Sequence, residues 1–193
     1  MSSTARGYDR HVSDYYVTPI DKIIDFLSEF QKVEPEIFNA KNIFLDPTAG
    51  GDLFNKMSYP EALKQIGIDE DRIKTIDIRE DSLAEVKGDY LSISLDYKPK
   101  VIITNPPFAI AREIIEKALD DVEDGGFVVM LLRLNFYGGK LRKDMWDNQL
   151  AKYSFVHNRR MSFTDDGKTD SIEYQHCVWQ KGFYPDFTYL KVI

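Results

Sequence analysis

Val101 to Leu132 reads VIITNPPFAIAREIIEKALDDVEDGGFVVMLL. Val101–Thr104 is a short apolar, β-branched run, as a buried strand requires. Asn105-Pro106-Pro107-Phe108 stops it. From Ala109 to Val122 the apolar positions Ile110, Ile114, Ala118 and Val122 recur at helical spacing. Asp124-Gly125-Gly126 then turns the chain into Phe127–Leu132, the longest apolar run, which reads as a second buried strand. Strand, helix and strand in this order form a crossover unit, and such units build parallel sheets covered on both faces.

Outward from this unit the alternation continues. Upstream, Thr18-Pro19 opens a helix whose apolar positions Ile20, Ile23, Ile24, Leu27 and Phe30 keep helical spacing to about Gln31. Thr18 reads as its cap, with Pro19 first in the helix and Asp21 in the capping-box position. Asn42–Asp46 reads as a strand, Ser58-Tyr59-Pro60-Glu61 as a capped helix start, and Arg72–Ile78 as another strand. Downstream, Leu141–Ala151 reads as helix and Tyr153–His157 and Gln175–Gln180 as strands. A polar loop joins these last two, so they are expected to pair antiparallel at one edge. The fold class is therefore α/β, one domain over residues 1–193, with no linker to a second domain.

The chain has 193 residues, 43% of them apolar, enough for a core without disulfides. No stretch reaches the roughly 18–20 apolar residues of a membrane helix, so no membrane partner is expected. The polar start MSSTARGYDRH is no secretory signal. Cys177, the single cysteine, points to a reducing compartment, hence the cytoplasm. His11, His157 and His176 have no metal-ligand spacing, and no metal is expected. The net charge of −7 hides a contrast: residues 133–168 carry eight Lys/Arg against four acids, residues 61–96 ten acids against five bases. One face could meet a phosphate backbone, or both could be solvated surface.

In a doubly wound sheet, ligands bind beyond the C-terminal ends of the strands, and four segments fall there. Asp46-Pro47-Thr48-Ala49-Gly50-Gly51 is a turn of small residues that lets backbone approach a ligand, after an acid able to accept from an amine or hydroxyl. It lacks the Lys-Ser/Thr of a phosphate loop. Asp77 ends its strand where an acid suits a ribose diol; the alternative is an exposed turn acid. Asp89, after Gly88, could accept from an adenine amino group or simply cap a turn. Asn105-Pro106-Pro107-Phe108 is a rigid loop that leaves the Asn105 and Pro106 carbonyls as outward acceptors beside an aromatic ring.

These segments resemble the S-adenosylmethionine-dependent amino-methyltransferases, in particular small phage-type DNA adenine-N6 methyltransferases. The signature is Asn105-Pro106-Pro107-Phe108. Tyr16-Val17-Thr18-Pro19 matches the N-terminal aromatic–x–Thr-Pro segment, Asp46-Pro47-Thr48-Ala49-Gly50 the Asp-Pro-x-x-Gly turn, and Asp77 and Asp89 the ribose and adenine acids. Ordered motifs cover residues 14–139, and Arg159–Ser171 with Val178-Trp179 is similar to the C-terminal part of such enzymes. The family places Gly where this chain has Asp52. The resemblance implies a Rossmann-like methyltransferase fold in a prokaryotic or phage-infected cell. It implies S-adenosyl-L-methionine held by Tyr16, Thr18, Pro19, Asp46, Pro47, Ala49, Gly50, Asp77, Asp89 and Asn105. The implied substrate is an adenine flipped out of DNA, bound by Asn105, Pro106, Pro107 and Phe108.

Arg133, Lys140, Arg142, Arg159 and Arg160 would then neutralise phosphates. Cytosine-C5 chemistry needs a cysteine nucleophile, and Cys177 lies in a strand pattern instead. An RNA base amine, a protein glutamine or an inactive cofactor-binding module remain alternatives. The size leaves little room for target recognition, so a short recognition sequence, a homodimer or a specificity partner is expected.

Overall fold

The computed structural model describes residues 16–39, 41–163 and 172–193. The strands are β1 (Phe44–Asp46), β2 (Ile73–Asp77), β3 (Val86–Lys87), β4 (Val101–Thr104), β5 (Phe127–Arg133), β6 (Tyr153–Val156), β7 (Tyr174–Gln180) and β8 (Tyr189–Val192). They form one eight-stranded sheet in the order β3-β2-β1-β4-β5-β7-β6-β8. From β3 to β5 all pairings are parallel. β7 runs antiparallel to both β5 and β6, and β8 lies parallel to β6. β7 is thus the one reversed strand among those described.

Helices α1 (Ile20–Val33) and α2 (Ser58–Gln65) cover one face; α3 (Ala111–Asp121) and α4 (Lys143–Asn148) cover the other. The packing follows from the pattern. Ile23, Phe26, Leu27 and Phe30 make a buried stripe on α1, and Ile114, Ile115 and Ala118 do the same on α3. β4 is buried along its whole length, as a central parallel strand must be. Chain order turns back between β1 and β4, since β1 is followed by β2 on one side and later by β4 on the other. That switch point opens a crevice at the C-terminal strand ends.

Several boundaries differ from the sequence reading, each for a local reason. Thr18 does not cap α1. Pro19 holds the cap position, its carbonyl accepting from Lys22 and Ile23 N–H, and the Thr18 hydroxyl is engaged elsewhere. Ser58 is the first residue of α2 and makes no capping bond. Asn42 is not in β1: its amide closes the preceding turn onto the Glu36 and Ile37 carbonyls, both at 3.0 Å. Arg72 is likewise outside β2, its guanidinium donating to the Asn39 and Asn42 carbonyls. The helix expected from Ala109 starts as a tight turn, Phe108–Ile110, because the two prolines fix extended backbone before it. α4 is shorter than Leu141–Ala151. β3 and β8 were not expected. The expected antiparallel pair, β6 and β7, is present at this side of the sheet, and β8 adds one strand beyond it.

Candidate active site

Three strand ends meet at the crevice: Asp46 of β1, Asp77 of β2 and Thr104 of β4. The loops that follow them, the segment before α1 and the start of α3 line a cleft that is partly open to solvent. Tyr16 and Thr18 line it from the N-terminal side; Pro47, Asp77, Asp89, Asn105 and Pro107 line it from the strand ends. Seven expected residues are thus brought to one cleft. Asp46, Ala49 and Gly50 lie beneath it, each buried, with Asp46 only 1% exposed. Pro19, Pro106 and Phe108 are not among the lining residues.

The floor is built from hydrogen bonds between distant segments. Gly50 and Gly51 both take positive φ, +65° and +74°, where a side chain would be strained. Asp77 holds that turn: its carboxylate accepts from Gly50 N–H at 2.7 Å and from Arg79 N–H at 2.8 Å. The acid at the end of β2 is therefore a brace for the glycine turn as well as a wall of the cleft, and its oxygens keep lone pairs for a further donor. Asp89 combines the same two roles, accepting from Leu91 N–H at 3.0 Å while facing the cleft. At Asp52 the chain replaces glycine with a side chain that closes its own turn, accepting from Phe54 and Asn55 N–H at 2.8 Å. Those bonds hold its carboxyl below the usual range.

The Asn105 loop is pinned from two sides. The Asn105 side-chain amide donates to Thr18 Oγ1 at 3.1 Å, which leaves its Oδ1 as the free end. Its main-chain carbonyl accepts from Thr48 Oγ1 at 3.2 Å, and Thr48 Oγ1 lies 2.6 Å from Thr104 Oγ1. The main-chain carbonyl is therefore turned onto the β1 loop and is not the outward acceptor expected. The Phe108 ring follows, with the Arg133 guanidinium 4.5 Å from its centroid and the Tyr174 ring at 6.2 Å. Arg133 Nε is buried with no hydrogen-bond partner.

Beneath the floor, burial pushes the Asp46 carboxyl up to about 7, against the opposing bonds from Thr104 and Thr48 N–H. Tyr59, another cleft residue, begins a buried row of hydrogen-bonded side chains that no local sequence pattern signals. Its hydroxyl is 3.0 Å from His176 Nε2, and His176 Nδ1 is 2.9 Å from His157 Nε2. Burial lowers both imidazoles, His157 to about 4. Tyr59, His176 and His157 are thus uncharged at neutral pH. Among the described residues no cluster of three or more His, Cys, Asp or Glu could hold a metal, and no helix is long and apolar enough to cross a membrane.

The basic residues divide. Because β7 is reversed, the connection from β6 to β7 begins and ends at the cleft end of the sheet, where β5 also finishes. Arg133, Arg159 and Arg160 stand there, and Lys140 is exposed on the segment after β5. Arg160 reaches Glu173 at 3.5 Å. Arg142 is not a free surface cation: it lies over the Phe136 ring and donates to the Phe136 and Gly138 carbonyls, closing its own loop. Thr164–Ser171, which carry part of the C-terminal resemblance, and His11 lie outside the described residues.

No protein-family model and no curated protein matches the chain. Solved structures do. An RNA methyltransferase from Pyrococcus horikoshii aligns with a TM-score of 0.67 at 12% identity, over 92% of this chain and 91% of its own. A class I S-adenosylmethionine-dependent methyltransferase from Listeria monocytogenes aligns at 0.63 and 14%, over 92% of this chain. The chain spans 65% of that protein. A component of a type I restriction–modification system aligns at 0.60 and 12%, over 96% of this chain and 46% of its own. The fold is the Rossmann-like fold of class I methyltransferases. At these identities the likeness speaks for the fold alone.

Proposed function

We propose that the protein is an S-adenosylmethionine-dependent methyltransferase acting on the N6 amine of adenine in DNA. The observation that carries this reading is the pinned Asn105 amide. With its N–H bonded to Thr18, the side-chain oxygen is fixed as an acceptor at the cleft.

The residues present fit the cofactor. The Gly50–Gly51 turn brings backbone close, Asp77 offers carboxylate lone pairs to hydroxyls, and Asp89 offers them to an amino group. Bound S-adenosylmethionine would supply an electrophilic methyl group; the chain's own residues position its acceptor. An adenine amine is a poor nucleophile because its lone pair is delocalised into the ring. Asn105 Oδ1 and the Pro106 carbonyl, accepting its two N–H groups, favour a tetrahedral nitrogen with a localised lone pair. Phe108 stacks on the base and holds it for in-line attack. The amine's lone pair would form the new bond to the methyl carbon as the carbon–sulfur bond breaks, the cofactor leaving as a neutral thioether; the nitrogen then gives a proton to water, so no strong base is needed among the contact residues. Arg133, Lys140, Arg159 and Arg160 at the cleft end supply charge for phosphates, which favours nucleic acid over a protein amide. We infer that the segments around the cleft mouth read a short recognition sequence.

The test is methyl transfer from labelled S-adenosylmethionine to unmethylated DNA, RNA and a protein extract in parallel, with mass spectrometry of the digests. N6-methyladenine in DNA, lost in Asn105→Ala by about 10²–10³-fold in rate while cofactor affinity stays within about threefold, is the expected result. Label confined to RNA or protein, or affinity falling as far as rate, refutes it.

A further inference from the structure

We propose that β8 is the contact strand of a two-fold homodimer, pairing antiparallel with β8 of a second copy about an axis through Leu190. β8 stands at one edge of the sheet and buries little. Tyr189, Leu190 and Val192 are 69%, 61% and 57% exposed, and Tyr184 and Phe187, in the segment leading into it, are 70% and 79% exposed. The opposite edge is a different case: β3 is two residues long and carries Lys87, features that discourage pairing.

The backbone of β8 sets the register. Tyr189 N–H donates to the Lys152 carbonyl at 3.0 Å, Ile193 N–H to Val156 at 2.8 Å, and the Ile193 carbonyl accepts from Asn158 N–H at 2.8 Å. Odd-numbered residues therefore face β6. By strand alternation, the N–H and C=O groups of Thr188, Leu190 and Val192 point outward. An axis through Leu190 sets Leu190 against its copy and Thr188 against Val192. All six outward residues of the pair then become hydrogen-bonded positions, exchanging six main-chain bonds.

The side chains select the same register and the same occupant. Lys191 is the only charge in β8, and its ammonium is held by Glu29 of α1. Centring on Leu190 places Lys191 opposite the aromatic Tyr189. Centring on Lys191 would oppose two ammoniums, which is unfavourable. Centring on Tyr189 would need an extended chain through Asp186 and Phe187, where it bends. Edge pairing would cover part of the exposed apolar side chains named above as well as the outward main-chain groups. An identical strand offers the same donors, acceptors and apolar surface in reverse, as an isologous contact requires.

Sedimentation and light scattering across about 1–100 μM test this. The wild-type chain is expected at twice its 22.4 kDa. Leu190→Pro removes an outward donor without touching the ladder to β6 and should give a monomer; Leu190→Lys should do the same if the proline variant fails to fold. Leu190→Cys should crosslink across the axis on oxidation. Tyr189→Cys should not, because 189 and its copy stand roughly 8 Å apart in this register, beyond disulfide reach. Cys177 is buried and offers no competing thiol. A wild-type monomer throughout the range, a dimer indifferent to Leu190→Lys, or a dimer that Tyr189→Cys crosslinks and Leu190→Cys does not would each overturn the proposal.

Discussion

Thr18→Val should slow methyl transfer while leaving the cofactor in place. Thr18 is 2% exposed and its hydroxyl accepts the Asn105 side-chain N–H at 3.1 Å. Valine keeps the shape and removes the acceptor. The Asn105 amide then loses what distinguishes its two ends, and the rotated amide would point N–H groups at the amine it should accept from. A hydrogen bond of this kind contributes about 0.5–1.5 kcal/mol net, and an amide N–H left without a partner costs about 1–3 kcal/mol. Taking about 1–1.6 kcal/mol as the loss of orientation, and 1.36 kcal/mol per tenfold in rate, the single-turnover rate should fall about 5–15-fold. Cofactor Kd, set mainly by the Gly50 turn, Asp77 and Asp89, should move less than about threefold. Thr18→Ser, which restores the hydroxyl, should recover most of the rate. The assay is single-turnover transfer of labelled methyl beside calorimetric cofactor binding, with thermal melts to confirm folding. A rate within twofold of wild type, a Kd that rises in step with the rate loss, or a serine variant as slow as valine would refute the reasoning.

Asp46→Asn should change the pH dependence of stability. Asp46 titrates near 7 in the folded protein because it is buried, and near 3.9 in the unfolded chain. Below about pH 4 it is protonated in both states and costs nothing. Between about 4 and 7 only the unfolded chain releases the proton, so wild-type stability falls by up to about 4 kcal/mol. Denaturant titrations should show the variant lacking that slope, and parallel curves would contradict it. Tyr59→Phe should strand His176 Nε2 in the core, a cost of about 1–3 kcal/mol, and lower Tm by about 2–12 °C; an unchanged Tm would mean the imidazole is satisfied without the hydroxyl. Gly51→Ala should weaken cofactor binding by calorimetry, since a Cβ at φ +74° would sit 2.8 Å from Met57 Cγ and 3.1 Å from Leu83 Cβ and displace the turn; undiminished affinity would show that the turn is not a contact surface.

What could be read from the sequence was what local pattern encodes. Val101–Thr104 appears as a strand with the expected bounds because four apolar residues end abruptly at Asn-Pro-Pro. Phe127–Leu132 needed one more residue, Arg133, whose charge hid that the ladder to Tyr174 continues. β8 was invisible because its residues are all exposed and carry no burial alternation to detect. β3, at two residues, has too short a pattern to register. In the site, residue identities were legible and partnerships were not. Thr18 reads locally as a cap, whereas its hydroxyl serves a residue 87 positions away. Asp77 reads as a ligand acid or a turn acid, and it braces Gly50, 27 positions away. Arg142 counted toward a basic surface, but its guanidinium is spent on nearby carbonyls. A count of charges cannot distinguish these uses.

The reversal of β7 also has a consequence for how such a chain can change. A parallel strand in that place would have to be reached by a crossover running back to the far end of the sheet. Running it backward turns residues 157–173 into a hairpin connection that leaves and re-enters at the cleft mouth. Its length is free of the sheet's geometry, and each doubling of such a loop costs only about 0.6 kcal/mol. His157, Met161 and Phe163 tie the start of this connection to the core, so the natural graft point begins after Phe163. Foreign segments exchanged there would alter what the mouth touches while Asn105, Thr18 and the glycine turn keep their places.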